Sequence, residues 1–460
     1  MSSSSLWRRV CIGALLMGGL GFTPPTQTKF GDPVPGLTPA ELARFSLGRT
    51  QFQTDETIET GLGPGFNDTS CGNCHNGPAM GGGSVLNVTR FGYEDVNGNF
   101  DPLAQYGGTL LQANAIVIDP ENPSLCQEVI PPQANLPGPS FPPTLRITPP
   151  AFGFGLVEAI PDAAILVNVD PNDVNGDGIS GRAHLVHPLE NPLLTRVGRF
   201  GWKAQVPTTL SFSGDAFLNE NGITNRLVPT ENAPNGDPQT LALCDTVPED
   251  PYEDFQISPG VEKIDAFTDF QQLLGVPPQW PPQGTLPGET VFNQVGCGAC
   301  HIATWTTGLL SPMPNNGAGG AAFPALASKT IHPYSDWLLH DIGTADHIVF
   351  GDASGYEFRT TPLWGLRQRV ALLHTGCVSL GSASTVEGFV PAIDAHGCVP
   401  AASCEFDPAG SQCEAQPSYA AFNALAAAQR TQLLDFLGSL GRKLFDSADS
   451  WPGDLRINLD

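Results

Sequence analysis

From Gln429 to Leu440 the apolar residues Leu433, Phe436, Leu437 and Leu440 fall at i, i+3, i+4 and i+7, and Gly441 follows. That spacing predicts an amphipathic helix with a glycine stop, closing the last unit of the chain. At the other end Arg8 and Arg9 precede an apolar run from Val10 to about Phe22, then Thr-Pro-Pro. A basic start before a run too short to cross a bilayer predicts a secretory signal peptide over residues 1–25. No later stretch reaches spanning length, so the expectation is a soluble, exported, periplasmic protein without a membrane span. Elsewhere the periodicity is broken. Proline-rich stretches at 130–150 and 276–288 read as loops, the second as an interdomain linker, and few strands are expected.

Composition narrows this further. Gly 52 and Pro 44 make about a fifth of the 460 residues, while 40% are hydrophobic, so a core can form but much of the chain is loop. Lys+Arg 21 against Asp+Glu 46 gives a net charge of −25, which argues against nucleic acid as the main partner. Of 11 cysteines, Cys11 lies in the signal segment and four belong to two Cys-x-x-Cys-His strings. The other six, Cys126, Cys244, Cys377, Cys398, Cys404 and Cys413, suggest three disulfides, at least one of them stapling the C-terminal loop.

The two strings sit in similar frames. Phe66-Asn67-Asp-Thr-Ser-Cys71-Gly72-Asn-Cys74-His75 and Phe292-Asn293-Gln-Val-Gly-Cys297-Gly298-Ala-Cys300-His301 are identical at six of ten positions, 226 residues apart. A period that long fits two copies of one domain. Cys-x-x-Cys-His is the attachment signature of c-type haem, with the cysteines as thioether anchors and the histidine as proximal iron ligand. A zinc ribbon would need a second nearby pair, and a thioredoxin-like pair would not need the trailing histidine. Two covalently attached haem c groups are therefore expected. Met80 follows His75 too closely to wrap around a porphyrin, Met313 is a weak second ligand, and spacing alone selects none of the other histidines.

Several long strings carry a resemblance. Gly61-Leu-Gly-Pro-Gly-Phe66-Asn67, Gly198-Arg-Phe-Gly-Trp202-Lys203-Ala, Tyr334-Ser-Asp-Trp337-Leu-Leu-His340-Asp341-Ile-Gly343 and Glu357-Phe-Arg359-Thr-Thr-Pro362-Leu-Trp364-Gly-Leu-Arg367 resemble a bacterial family of di-haem oxidoreductases described as peroxidases or thiol oxidoreductases. That family is similar to di-haem cytochrome c peroxidases. The resemblance implies a mainly α fold of two cytochrome c-like domains with long loops and little β structure. The N-terminal domain would occupy 26–275, with insertions and a catalytic haem. The C-terminal domain would occupy 283–445, with an electron-transfer haem, before an acidic tail at 446–460. From the match of Leu-Leu-His374-Thr375-Gly376, Thr385-Val-Glu387 and His396-Gly397, it implies His396 as the second ligand of the C-terminal haem. The N-terminal haem would keep an open position, unless His184 or Lys203 folds over it. The stretch from Pro149 to Pro161 implies Glu158 near that site as a proton-moving base; a carboxylate complementing a helix N-terminus is the other reading. The tryptophan that bridges the haems in the peroxidases has no N-terminal counterpart, and Trp202, Tyr93 or Tyr106 are the substitutes.

Asp173-Val-Asn175-Gly-Asp177-Gly178 matches the first half of a calcium loop, with His184 at the twelfth position. Calcium on Asp173, Asn175 and Asp177 and an Asx-rich turn both remain open readings. Three functions follow. The first is a peroxidase-like oxidoreductase whose six-coordinate haem feeds an open one. The second is a thiol or other small-molecule oxidase passing electrons outward. The third is a non-enzymatic electron carrier. Each needs a cytochrome or cupredoxin partner, and the acidic surface suits a basic one.

Overall fold

The computed structural model describes residues 28–441, except 96, 132–142, 248–250, 311–319, 381–385, 400–403, 405–406 and 408–409. The expected signal peptide, the acidic tail, Met313 and Thr385 lie outside the described residues.

Six α-helices of eight or more residues occur among the described residues. These are α1 (Pro39–Phe52), α2 (Thr209–Asn221), α3 (Lys263–Leu273), α4 (Pro287–Gln294), α5 (Gln416–Asn423) and α6 (Ala427–Ser439). The start of α1 is set by its sequence: Thr38 and Glu41 form a capping box, and Pro39 fills the first helical position. The predicted closing helix is α6, which buries Leu433, Phe436 and Leu437.

The expectation of a mainly α fold is overturned. Helix makes up 31% of the described residues and strand 15%, spread over many small sheets. Among the described residues there are eight sheets, seven of two strands and one of three. The three-stranded sheet pairs β1 (Asn87–Arg90) with β2 (Leu110–Leu111) on one side and β3 (Thr144–Ile147) on the other, all antiparallel. Most of the other strands have only two residues. A ladder that short satisfies loop backbone groups without a readable period-2 pattern, so the sequence reads as loop where the chain pairs.

The two motif regions share a local packing pattern whose register differs from the sequence alignment. In the first unit α1 crosses α3; in the second α4 crosses α6. Each crossing depends on a glycine: a Cβ on Gly48 would lie 2.2 Å from the Ala266 carbonyl, and one on Gly288 would lie 1.8 Å from that of Gln432. Four residues later each helix presents a phenylalanine to the motif histidine, Phe52 to His75 at 5.9 Å and Phe292 to His301 at 6.2 Å between ring centroids. Behind these, Phe52 packs on Phe270 and Phe292 on Phe436. Phe52, not Phe66, is therefore the partner of Phe292. Phe66 instead packs beside the Cys126–Cys244 disulfide.

Two large cores result. One gathers Phe52, Phe267 and Phe270 with Trp305, Trp337 and Trp364 from beyond the 276–288 loop. The other gathers Phe292, Tyr334, Phe389, Phe436 and Leu437. All six remaining cysteines are paired, as Cys126–Cys244, Cys377–Cys404 and Cys398–Cys413. Two of these three staple the C-terminal loop, as expected.

Candidate active site

Each Cys-x-x-Cys string folds as one tight turn, helical over Cys71–Cys74 and 3-10 over Cys297–Ala299. The histidine amide closes each turn, His75 onto the Cys71 carbonyl at 2.9 Å and His301 onto that of Cys297 at 3.0 Å. Both cysteines of a string and its histidine are thus held on one small element. Among the described residues these four are the cysteines without a disulfide. Burial pushes the Cys71, Cys74 and Cys297 thiols up to about 12. Such thiols are protonated at neutral pH and are not the thiolates of a redox-exchange pair.

The motif histidines share a second feature. His75 Nδ1 donates to the Gly82 carbonyl at 3.1 Å, and His301 Nδ1 to that of Tyr334 at 2.9 Å. His396 Nδ1 donates to the Ala392 carbonyl at 2.7 Å. Anchoring Nδ1–H leaves the Nε2 lone pair available, the arrangement a metal-ligating imidazole needs. Burial lowers His75 and His301 to about 4 and also lowers His396, so all three favour the neutral, ligating form. His301 and His396 also lie close enough to disfavour each other's charge.

A predominantly apolar cavity brings the second set of these parts together. Cys297, Cys300, His301 and His396 line it together, with Phe292, Phe389, Leu433 and Leu437 as apolar wall. Gly77, Pro78, Gly83 and Ser84, just past His75, line it too, as do Thr148 and Pro149. Thr148 hydrogen-bonds the Cys74 thiol, and the Pro149 backbone reaches His75, so this part of the cavity borders the first motif. Paired thiols on a turn, imidazoles anchored through Nδ1 and an apolar space fit a porphyrin at the second motif, and the first motif repeats the turn and the anchored imidazole beside the same space.

Residues 142–440 match the profile of a family described as "Di-haem oxidoreductase, putative peroxidase", well over half of the chain. The chain belongs to this di-haem oxidoreductase family. The matched span includes Cys297, Cys300, His301 and His396 and begins after Cys71, Cys74 and His75. No curated protein and no solved structure matches the chain.

Other expected site residues of this di-haem oxidoreductase fall elsewhere. Glu158 ends the short helix Phe154–Glu158 and is buried away from the cavity lining. Its carboxylate accepts from the Thr209 amide at 2.9 Å, the Thr209 hydroxyl and Gln272 Nε2 at 3.1 Å. It therefore tethers the first turn of α2 to α3, in keeping with the helix-terminus reading rather than that of a free base. Asp173, Asn175 and Asp177 form an exposed turn whose side chains bond to its own amides: Asp173 accepts from Gly178 N at 3.1 Å, Asn175 from Asp177 N at 2.9 Å. Met80 packs into the first core over Gly72. His184 Nδ1 donates to the Lys203 carbonyl at 2.8 Å, and Lys203 Nζ meets Asp346 at 3.1 Å and the Ser354 carbonyl at 2.8 Å. Of the three aromatic substitutes, Trp202 lines the cavity, donating through Nε1 to the Ile147 carbonyl at 3.0 Å. Tyr93 and Tyr106 sit in a separate cluster with Phe91 and Leu103.

Sequence reasoning missed the buried charge clusters, two of which centre on His340 and Asp346. His340 lines the cavity between Asp336 and Glu414, each at 2.8 Å, with its Nδ1 3.8 Å from the Cys300 sulfur. Asp346 meets Arg146 at 2.5 Å and Lys203 at 3.1 Å. The i, i+4 spacing of Asp336 and His340 was a visible signal. Glu414 and Asp346, far along the chain from their partners, gave none.

Proposed function

We propose that this di-haem oxidoreductase is an exported, peroxidase-like enzyme with a covalent c-type haem at each Cys-x-x-Cys-His turn. His301 and His396 would be the two axial ligands at the second site, and His75 the single protein ligand at the first. A bound haem iron exchanges single electrons and, where a coordination position is open, binds a small oxygen ligand. The rest is the work of the chain. Gly82, Tyr334 and Ala392 orient the three imidazoles through their Nδ1 atoms. Phe52 and Phe292 press on the motif histidines, and the apolar wall excludes water.

The observation that carries this reading is an asymmetry between the sites. Cys297, Cys300, His301 and His396 converge on one cavity, whereas at the first site Lys203, one candidate for a second ligand, is committed to Asp346 and the Ser354 carbonyl, and His184, the other, does not line the cavity beside Gly77 and Thr148. An open iron is where a peroxide would bind. Three disulfides support an oxidising compartment, and no helix among the described residues is long and apolar enough to cross a membrane. The net charge of −25 favours a basic cytochrome or cupredoxin as electron partner.

A pyridine-haemochrome assay and a low-temperature EPR spectrum on one sample test it. The expected result is two haems per chain, one high-spin and one low-spin. A wholly low-spin spectrum would remove the open site and leave an electron carrier. Peroxide turnover with reduced cytochrome, but none with thiols, is expected; the reverse preference would refute the peroxidase reading.

A further inference from the structure

Two arginines on the cavity wall lack the carboxylate partner that other buried arginines have. Arg196 and Arg199 both bind Asp162, and Arg146 binds Asp346. Arg359 and Arg369 have no such partner among the described residues; both bond only to carbonyls. Arg359 donates through Nε to Gly201 at 3.0 Å and through Nη1 to Thr360 at 2.9 Å, and its guanidinium lies over the Trp337 ring at 5.6 Å. Arg369 donates through Nη2 to the Pro362 carbonyl at 2.5 Å, and its buried Nε has no acceptor. The two cations repel each other, and burial lowers both to about 10. Both line the cavity that holds Cys297, Cys300, His301 and His396. Two desolvated guanidiniums beside an apolar space are unfavourable until an anion enters, and a guanidinium fork matches a carboxylate best.

We propose that Arg359 and Arg369 bind the propionate carboxylates of the haem attached at Cys297 and Cys300, and so fix its rotation and raise its reduction potential. This rests on the two-haem reading above. Attachment through the thioethers holds one edge of the porphyrin and leaves the propionate edge to be neutralised. Segment 363–373, which carries Arg369, supplies Leu366 and Leu372 to the same core as Phe292, which places it against the second motif rather than the first. Cation removal lowers the potential because a nearby positive charge disfavours the more positive, oxidised iron.

The test uses the full-length haem-loaded protein with Arg359→Gln, Arg369→Gln and Arg369→Lys. Haemochrome stoichiometry comes first: fewer than two haems in the wild type would defeat the two-haem reading itself, independently of the arginines. With two haems present, spectroelectrochemistry should show the low-spin haem shifted to lower potential in both Gln variants, the other haem unmoved, and most of the shift recovered in Arg369→Lys. Unchanged midpoints in both Gln variants, or a shift confined to the other haem, would overturn the proposal. If a Gln variant does not load haem, resonance Raman on Arg369→Lys decides, since the propionate bending band should move relative to wild type and an unmoved band counts against the assignment. A raised KM for an anionic substrate with no change in either midpoint would make the arginines a substrate site instead, and would also overturn it.

Discussion

Nδ1 of His340 lies 2.8 Å from a carboxylate oxygen of Glu414, a residue 74 positions further along the chain. Glu414 directly follows Cys413, so the Cys398–Cys413 staple and the wall of the cavity are one mechanical unit. Glu414 also accepts from the Ser180 amide at 3.1 Å, and the far side of His340 meets Asp336. The imidazole is a charged hub that ties three distant segments beside Cys300.

Replacing that hub leaves two buried carboxylates without a counter-charge. His340→Leu should cost about 3–5 kcal/mol near neutral pH, read by urea unfolding. Burial opposes the charge on His340, but Asp336 overrides it and holds the imidazole well above its ordinary value. A raised folded-state pKa gives stability that is full below about pH 6.5 and lost as pH rises through the folded value. The gap between wild type and variant should therefore narrow on the alkaline side. A gap that widens there would contradict the ion-pair assignment.

Lys203 makes the opposite prediction. Burial lowers it to about 8, although Asp346 pulls the other way. Between there and the ordinary lysine value near 10.4 the unfolded chain binds more protons, so stability gained from this group rises with pH. Unfolding titrations of wild type and Lys203→Met should differ by that rise. Parallel curves over the window would show that the ammonium is not desolvated.

Gly48→Ala and Gly288→Ala each force a methyl into a facing carbonyl. Each should cost about 1–3 kcal/mol by thermal or urea unfolding. Gly288→Ala should disturb the spectrum of the haem beside His301, and Gly48→Ala that of the haem beside His75. A reversed pattern would undo the pairing of Phe52 with Phe292.

His396→Gly should convert one low-spin signal to high-spin and leave the haem count at two. An unaltered EPR spectrum would mean that another residue closes the second iron.

Local patterns settled a good deal. The two Cys-x-x-Cys-His turns, the closing helix α6 and an even set of six cysteines destined for disulfides are written over spans of a few residues or in simple counts. Periodicity and turn chemistry act at that range. The family strings likewise put His396 forward before any geometry was known. Tertiary structure decided the rest. It moved the partner of Phe292 from Phe66 to Phe52, because the Gly48 and Gly288 crossings depend on helices brought together across more than a hundred residues. It gave Glu158 to α2, clamped His340 with Glu414, and left Arg359 and Arg369 facing the cavity without a bonded carboxylate among the described residues. It also built many small sheets from segments that look like loop, since two-residue ladders are chosen by which backbones meet and not by the side chains they carry. Sequence names the groups that can hold a cofactor; only packing decides which buried charges are already satisfied and which await one.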